Sequence, residues 1–228
     1  MTVADFKDIC LDAADPARVG PFWAEVLGLA WHTQPGGDGW LAGPRPQHTI
    51  WVNAVPEPKT VKNRVHLDVY AHSLASLEAF GARVVLPRAD GRHWTVLADP
   101  EGAEFCGFLR ADPPAQRLHG LVVDCADAGA QARWWAKVFG EPLTRGGDEW
   151  YELDHPSGAP FTMDFIQVPE PKVVKNRVHW DVTAPAIEPL LDAGATTLRA
   201  PDEDIQWHVL ADPEGNEFCV FPPKAPAG

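Results

Sequence analysis

The stretch VPEPKTVKNRVHLDV, at Val55–Val69, occurs again as VPEPKVVKNRVHWDV, at Val168–Val182. A second pair is separated by the same distance: VLADPEGAEFC at Val96–Cys106 and VLADPEGNEFC at Val209–Cys219. A repeat of this length indicates duplicated domains rather than a solenoid of short units. The sequence therefore predicts that the whole chain is built from one domain written twice.

The boundaries of the two copies follow from the segment that joins them. The join reads RADPPAQR and is polar and rich in proline, as linkers are. We therefore predict two domains, 1–112 and 117–228.

Within one copy, short apolar stretches alternate with helix signals. Asp15, Pro16 and Gly28 have the residue types that start and end a helix, although Pro21 inside it predicts a kink or a later start. Ser73 and Gly81 frame a second, shorter helix in the same way. Strand patterns surround both helices. Each copy therefore reads as strand, helix and three strands, followed by the same series again.

Composition narrows the classes of function. The net charge of −13 argues against nucleic acids and anionic membranes as partners. No apolar run is long enough for a membrane span, and the first residues do not resemble a secretion signal, so we expect a cytoplasmic location. Four cysteines in a chain of 228 residues do not suggest a disulfide framework.

Ten tryptophans are the other compositional signal. Most are expected to fill the core, since indole rings bury a large apolar area. The others are expected to line a pocket and stack on a flat ligand, and Trp94 and Trp207 are our candidates.

The motifs DPARVGPFWAEVLG and DPEGNEFCVF, in the order βαβββ-βαβββ, resemble the vicinal oxygen chelate superfamily. That superfamily includes glyoxalase I, bleomycin-resistance proteins and extradiol dioxygenases, and the chain is most similar to glyoxalase-like domains of actinobacterial proteins. The resemblance implies an α+β fold of two tandem domains. Each domain would join two βαβββ half-units into a curled eight-stranded mixed sheet.

The resemblance also implies a divalent metal in the cup of each sheet, but the ligand set matches only in part. His66 and His179 stand at one ligand position. Cys106 and Cys219 stand where the family has a glutamate. The first-strand position is Asp8 in copy one and Gly120 in copy two, with His119 adjacent, and the fourth ligand is not assigned: His48 lies near that place, where copy two has Phe161.

Strand periodicity gives a separate view of the cup. Residues two apart on a strand share a face, which groups His66 with Asp68 and Tyr70, and Cys106 with Glu104 and Phe108. The predicted ligand-binding residues are the polar members of these faces in both copies, with one tryptophan each: His66, Asp68, Trp94, Glu104, Cys106, His179, Asp181, Trp207, Glu217 and Cys219.

Three interpretations of this cluster remain open. It could be purely structural, with the histidine bonded to the aspartate and the cysteine acting as a small buried apolar group. It could bind a small molecule without a metal. It could also hold a metal such as zinc, for which the candidate ligands are His66, Glu104, His179 and Glu217.

The repeated segment carries a basic patch, Lys59, Lys62 and Arg64 in copy one and Lys172, Lys175 and Arg177 in copy two. One interpretation is packing, with the arginines pairing across the two domains. The other is a site for an anionic ligand group.

We expect a metal-independent small-molecule binder, whose ligand carries an aromatic or anionic group, with no cofactor. The alternative is a divalent-metal lyase, isomerase or dioxygenase of the same superfamily. Since the duplication could replace a dimer, we expect a monomer or a weak homodimer.

Overall fold

The computed structural model describes residues 2–89, 91–147 and 149–223. These residues form four half-units, each with the element order βαβββ. The first contains β1 (Asp5–Ala13), α1 (Pro16–Leu27), β2 (Ala30–Thr33), β3 (Gly39–Ala42) and β4 (Ile50–Ala54). The second contains β5 (Val65–Ala71), α2 (Leu74–Phe80), β6 (Arg83–Leu86), β7 (Thr95–Ala98) and β8 (Glu104–Leu109). The third contains β9 (Leu118–Cys125), α3 (Ala128–Phe139), β10 (Arg145–Gly146), β11 (Trp150–Asp154) and β12 (Thr162–Gln167). The fourth contains β13 (Val178–Thr183), α4 (Glu188–Asp192), β14 (Thr196–Arg199), β15 (His208–Ala211) and β16 (Glu217–Phe221).

The predicted start and end signals of α1 coincide with its observed bounds. Gly28 adopts the left-handed conformation that ends the helix, with φ 70°. The helix begins at Pro16 and runs through Pro21, so the later start allowed for in the prediction is wrong. The Glu101 carboxylate accepts hydrogen bonds from the amides of Ala14 and Asp15, the two residues that directly precede the helix.

The strands form two mixed eight-stranded sheets, as the fold class predicts, but each sheet combines both copies. Sheet I has the order β14-β15-β16-β13-β1-β4-β3-β2, and sheet II has the order β10-β11-β12-β9-β5-β8-β7-β6. The expectation that each copy would close its own sheet is therefore corrected. The first strands of different half-units pair antiparallel at the centre of each sheet, β1 with β13 and β5 with β9.

Contacts between the sheets explain this exchange. Helix α1 lies on β3 and β4 of sheet I, while its Trp23 ring packs 5.1 Å from Phe105 of sheet II. The copy-two helix α3 likewise places Trp135 beside Trp180 and Phe218 of sheet I. The buried apolar residues form one continuous cluster, because α1 and α3 fill the space between the two sheets.

Only part of the tryptophan expectation agrees with the structure. Trp23, Trp135 and Trp180 are buried, whereas the other seven are partly exposed. The expectation that most of the ten fill the core is therefore corrected, and several of the remainder line the sheet faces described next.

Candidate functional site

Each sheet has one face in the core and one face turned away from it. On β5, Val65, Leu67 and Val69 are at most 1% exposed in the core, so His66 and Asp68 lie on the opposite face. We call this opposite face cup II in sheet II and cup I in sheet I.

In cup II three potential ligand groups meet. The His66 Nε2 atom lies 3.5 Å from Cys106 Sγ and 3.4 Å from Asp68 Oδ1. All three ligand atoms lie within 4.8 Å of one another. Asp68 Oδ1 is buried and has no hydrogen-bond partner, which is costly for a carboxylate oxygen. A hydrogen-bond donor or a cation bound next to Asp68 Oδ1 would therefore stabilise the cluster.

A second carboxylate lies on the neighbouring strand. Thr162 Oγ1 donates to Asp164 Oδ2 at 2.7 Å, and burial, together with the nearby Asp68, raises the pKa of Asp164 to about 7. Asp164 and Asp68 can lie close together because the residue between them is Gly120. A Cβ at this position would lie 2.7 Å from Asp164 Oδ2 and 3.7 Å from Asp68 Cβ. The absence of a side chain at Gly120 thus leaves room for both carboxylates on one face.

Aromatic rings surround the polar cluster of cup II. The Trp94 and Phe108 rings stack with centroids 5.8 Å apart, and the Tyr70 and His119 rings stack at 4.4 Å. Phe108 also meets His119 edge to face at 5.1 Å. Half-buried rings beside a few polar groups are typical of small-molecule sites.

Cup I has a similar histidine–aspartate pair but a different cysteine. The ligand atoms of Cys10, His179 and Asp181 lie within 4.8 Å of one another, and Cys10 Sγ donates to Asp181 Oδ1 at 3.6 Å. Burial lowers the pKa of His179, while burial and the neighbouring Asp8 raise the pKa of Asp181. Cys219 is buried on the same face, beside Asp181 in the strand register.

A lysine side chain lies beside two carboxylates of cup I. Lys7 Nζ lies 2.6 Å from Asp8 Oδ2 and 3.5 Å from Asp181 Oδ2. It also lies 4.1 Å from the centre of the Phe221 ring, which stacks with Trp207 at 5.1 Å. Although burial opposes it, the charge of Asp8 raises the pKa of Lys7. The ammonium is therefore a resident cation of cup I.

Strand register identifies the positions at which the two cups differ. In sheet I, His179 pairs with Cys10 on the adjacent strand, and Cys10 pairs in turn with Trp51. In sheet II, His66 pairs with Val122, and Val122 pairs in turn with Asp164. The Trp51 Nε1 atom donates to Asp8 Oδ2 at 3.1 Å. An indole in cup I thus takes the position that a carboxylate takes in cup II.

The predicted site residues Glu104 and Glu217 bind the repeated segment instead of joining the clusters. Glu104 accepts from Lys59 Nζ and from the Asn63 amide, both at 3.0 Å. Although burial opposes it, these donors lower the pKa of Glu104. Glu217 accepts from Lys172 at 2.7 Å and from the Asn176 amide at 3.2 Å.

The other basic residues of the segment are also paired. Lys62 binds Asp124 at 2.6 Å and Lys175 binds Asp12. The arginines bridge the copies: Arg64 donates to the carbonyls of Asp124 and Glu170. In the same way, Arg177 donates to the Glu57 carbonyl and to the Glu101 carboxylate. These contacts support the packing interpretation, and the two segments enclose a cavity of about 630 Å³ between them.

The sequence missed Lys7, Cys10 and Asp164 as members of the cups. The resemblance had identified Asp8 as a ligand position. Cys10 lies two residues further along the same strand, so its place on the face of cup I was predictable from the sequence. Asp164 depended on knowing that β12 pairs with β9 beside β5. His48 lies outside both clusters, where its Nδ1 accepts from the Arg45 amide at 3.2 Å, and Phe161 packs on Phe6.

Comparison with known families agrees with this architecture. The model of the glyoxalase-like domain matches twice, over residues 8–108 and 120–221. The chain therefore belongs to the glyoxalase-like domain family.

Solved structures with a similar fold cover nearly the whole chain. Glyoxalase I from Zea mays is 14% identical with a TM-score of 0.64, covering 95% of this chain and 92% of that chain. A putative dioxygenase from Bacillus subtilis is 13% identical with a TM-score of 0.64, covering 98% and 86%. The cppA protein from Streptococcus pneumoniae is 11% identical with a TM-score of 0.54, covering 96% and 100%. At these identities the likeness concerns the fold alone.

No curated protein matches the chain in sequence. Among the described residues, no helix has the length and apolar character needed to cross a membrane.

Proposed function

We propose that the protein binds a flat aromatic small molecule in cup II, without a metal. The observation that carries this proposal is the arrangement of half-buried rings, Trp94 with Phe108 and Tyr70 with His119, around the polar pair His66 and Asp68. The rings offer stacking faces, and the polar pair would orient the bound molecule.

The state of Cys106 supports metal independence. It takes the place of the glutamate that the family resemblance calls for, and burial followed by the charge of Asp68 raises the pKa of its thiol. We expect Cys106 to be a neutral wall of the cup.

Calorimetric titration with aromatic probes tests the proposal. The probes are a naphthalene amine, a naphthalene alcohol and a naphthalene carboxylate, titrated into wild-type protein, Trp94→Ala and the matched cup I variant Trp207→Ala. We expect at least one probe to bind once per chain, with about tenfold weaker binding in Trp94→Ala, the loss of one stacking contact. Equal effects of the two substitutions, or no binding of any probe, would contradict the proposal.

A second candidate function is a divalent-metal enzyme of the same superfamily. It is favoured by the unpartnered Asp68 Oδ1 and by the spacing of the three ligand atoms. The atoms around a tetrahedral zinc lie about 3.3–3.6 Å apart. His66 Nε2 lies 3.5 Å from Cys106 Sγ and 3.4 Å from Asp68 Oδ1, which agrees with that spacing. His66, Asp68 and Cys106 would then hold the ion, and a bound zinc would supply Lewis-acid chemistry.

Metal analysis separates the two candidates. Purified protein is dialysed against zinc and then against buffer. About one zinc per chain, lost in His66→Ala but kept in Trp94→Ala, would replace the first candidate with the second. No retained zinc, together with aromatic binding, is the result we expect.

The location and assembly are also part of this proposal. We propose a cytoplasmic location and a monomeric state. The monomer is proposed because the chain already pairs two copies internally through β1–β13 and β5–β9. Light scattering that gives the mass of a stable dimer would contradict the monomer.

A further inference from the structure

We infer that cup I carries its own cation, the Lys7 ammonium, and that cup II takes its cation from a ligand. The inference rests on the proposed binding function of cup II, and it specifies that the ligand carries a positive charge. It also makes Lys7 the residue that restricts binding to one of the two cups.

The first step is the geometry of Lys7. It is the extra residue where the β1–β13 register shifts between Phe6 and Asp8. This bulge places Nζ at 2.6 Å from Asp8, 3.5 Å from Asp181 and 4.1 Å from the centre of the Phe221 ring. Two carboxylates and one aromatic face surround the ammonium, which is the environment that proteins use to bind a cationic ligand.

The second step is the matching position in cup II. The β5–β9 register shifts at the same place, and the extra residue there is His119. Its ring stacks on Tyr70, and burial lowers its pKa, so it is a neutral ring at neutral pH. Both sheets therefore have the bulge. Its extra residue is the charged Lys7 in cup I and the aromatic His119 in cup II.

The third step is the charge left uncompensated in cup II. Asp68 is 9% exposed, and its Oδ1 atom has no hydrogen-bond partner. Within the described part of the chain, neither Asp68 nor Asp164 forms a salt bridge with a lysine or an arginine. Arg110 is exposed, with its guanidinium carbon 4.5 Å from the centre of the Tyr70 ring. A ring nitrogen of His66, Nε2, lies 3.4 Å from Asp68 Oδ1. Burying a carboxylate that accepts no hydrogen bond at this oxygen is costly, and a cation from solution would offset that cost.

The chemistry required of the ligand is thus a positive charge. An ammonium group attached to an aromatic body and a free divalent cation both supply it. An anionic group, which the basic patch first suggested, does not suit Asp68 and Asp164, and the lysines of that patch are already paired.

The test combines two probes with substitutions in both cups. The naphthalene amine and Zn²⁺ are each titrated into wild-type protein, Lys7→Met and the control Lys62→Met, whose lysine pairs with Asp124 outside the clusters. We expect one site for the naphthalene amine in wild type, lost in Asp68→Asn and unchanged in Lys62→Met. Lys7→Met should gain a second site, which Asp181→Asn then removes.

The reciprocal substitution keeps the inference testable if Lys7→Met does not fold. His119→Lys introduces an ammonium at the bulge of cup II and should weaken cation binding there at least tenfold. A folded Lys7→Met without a second site, or two sites in wild type, would overturn the inference.

The probes also distinguish failure of the inference from failure of the proposed function. Trp94-dependent binding of the naphthalene alcohol or carboxylate, as tight as that of the amine, would leave the binding function standing and refute the charge preference. Binding of Zn²⁺ alone would identify the cation as a metal, and binding of the amine alone as part of the organic ligand.

Discussion

The buried amide of Asn216 provides a sharp test of how the repeated turn is stabilised. Its Oδ1 accepts from Asn176 Nδ2 at 2.9 Å, and its Nδ2 donates to the Asp212 carboxylate at 3.2 Å and 3.1 Å. The residue is 1% exposed, so water cannot replace these bonds without rearrangement. Asn216→Ala should therefore remove these bonds and leave the buried Nδ2 of Asn176 unpaired. The Asp212 carboxylate, by contrast, keeps its bonds from Gln131 and Trp135.

Copy one contains the natural counterpart of this variant. Ala103 stands at the position of Asn216, the Nδ2 atom of Asn63 has no partner, and a cavity of about 20 Å³ lies beside them. The change Ala103→Asn should fill this space and pair with both Asn63 and Asp99.

The magnitudes follow from the number and type of bonds. One neutral bond contributes about 1 kcal/mol, and a bond to a carboxylate contributes about 1.5–3 kcal/mol. We expect Asn216→Ala to lower the free energy of unfolding by about 3 kcal/mol and Ala103→Asn to raise it by about 1 kcal/mol.

Urea denaturation at pH 7.5 measures both changes. With a slope of about 2–3 kcal/mol per molar, Asn216→Ala should shift the midpoint down by about 1 M. Asn176→Ala should cost more than Asn63→Ala, whose side-chain donor is already unpaired. A loss below about 0.5 kcal/mol in Asn216→Ala, well under one buried hydrogen bond, would refute the reasoning.

Three further outcomes follow from the structure. The pKa of Asp164 is about 7 in the folded protein, whereas its ordinary value is 3.8. The folded state therefore binds the extra proton, and stability falls as pH rises from about 4 to 7. By urea titration, Asp164→Asn should be more stable than wild type above pH 7, by at most about 4 kcal/mol, and equal near pH 4; a constant difference would contradict this. Gly120→Ala should displace Asp164 and weaken probe binding in cup II at least tenfold by calorimetry, whereas a folded variant with unchanged binding would refute the close approach. Glu101→Ala should lower the free energy of unfolding by about 2–3 kcal/mol, since its carboxylate serves two amides and Arg177, and a neutral result in urea would contradict that role.

Much of the local structure was predictable because its causes are local. Strand parity placed His66 with Asp68 on one face, and in the structure the alternating residues Val65 and Leu67 are buried in the core. The left-handed Gly28 and Gly81 end their helices where the sequence predicted. The family resemblance placed His66 and Cys106 in one cup, and in the structure Nε2 and Sγ of these residues lie 3.5 Å apart.

The sequence by itself determined the duplication, the four half-units and the polar face of the second half-unit in each copy. The tertiary structure alone decided which half-units share a sheet, and hence that Asp164 joins cup II while Lys7 and Cys10 join cup I. The reason is physical: the backbone hydrogen bonds of a strand accept any partner of suitable register, so local pattern does not select one half-unit over another. The selection depends on long-range contacts, namely helices α1 and α3 between the sheets, and Arg64 and Arg177 bridging the copies.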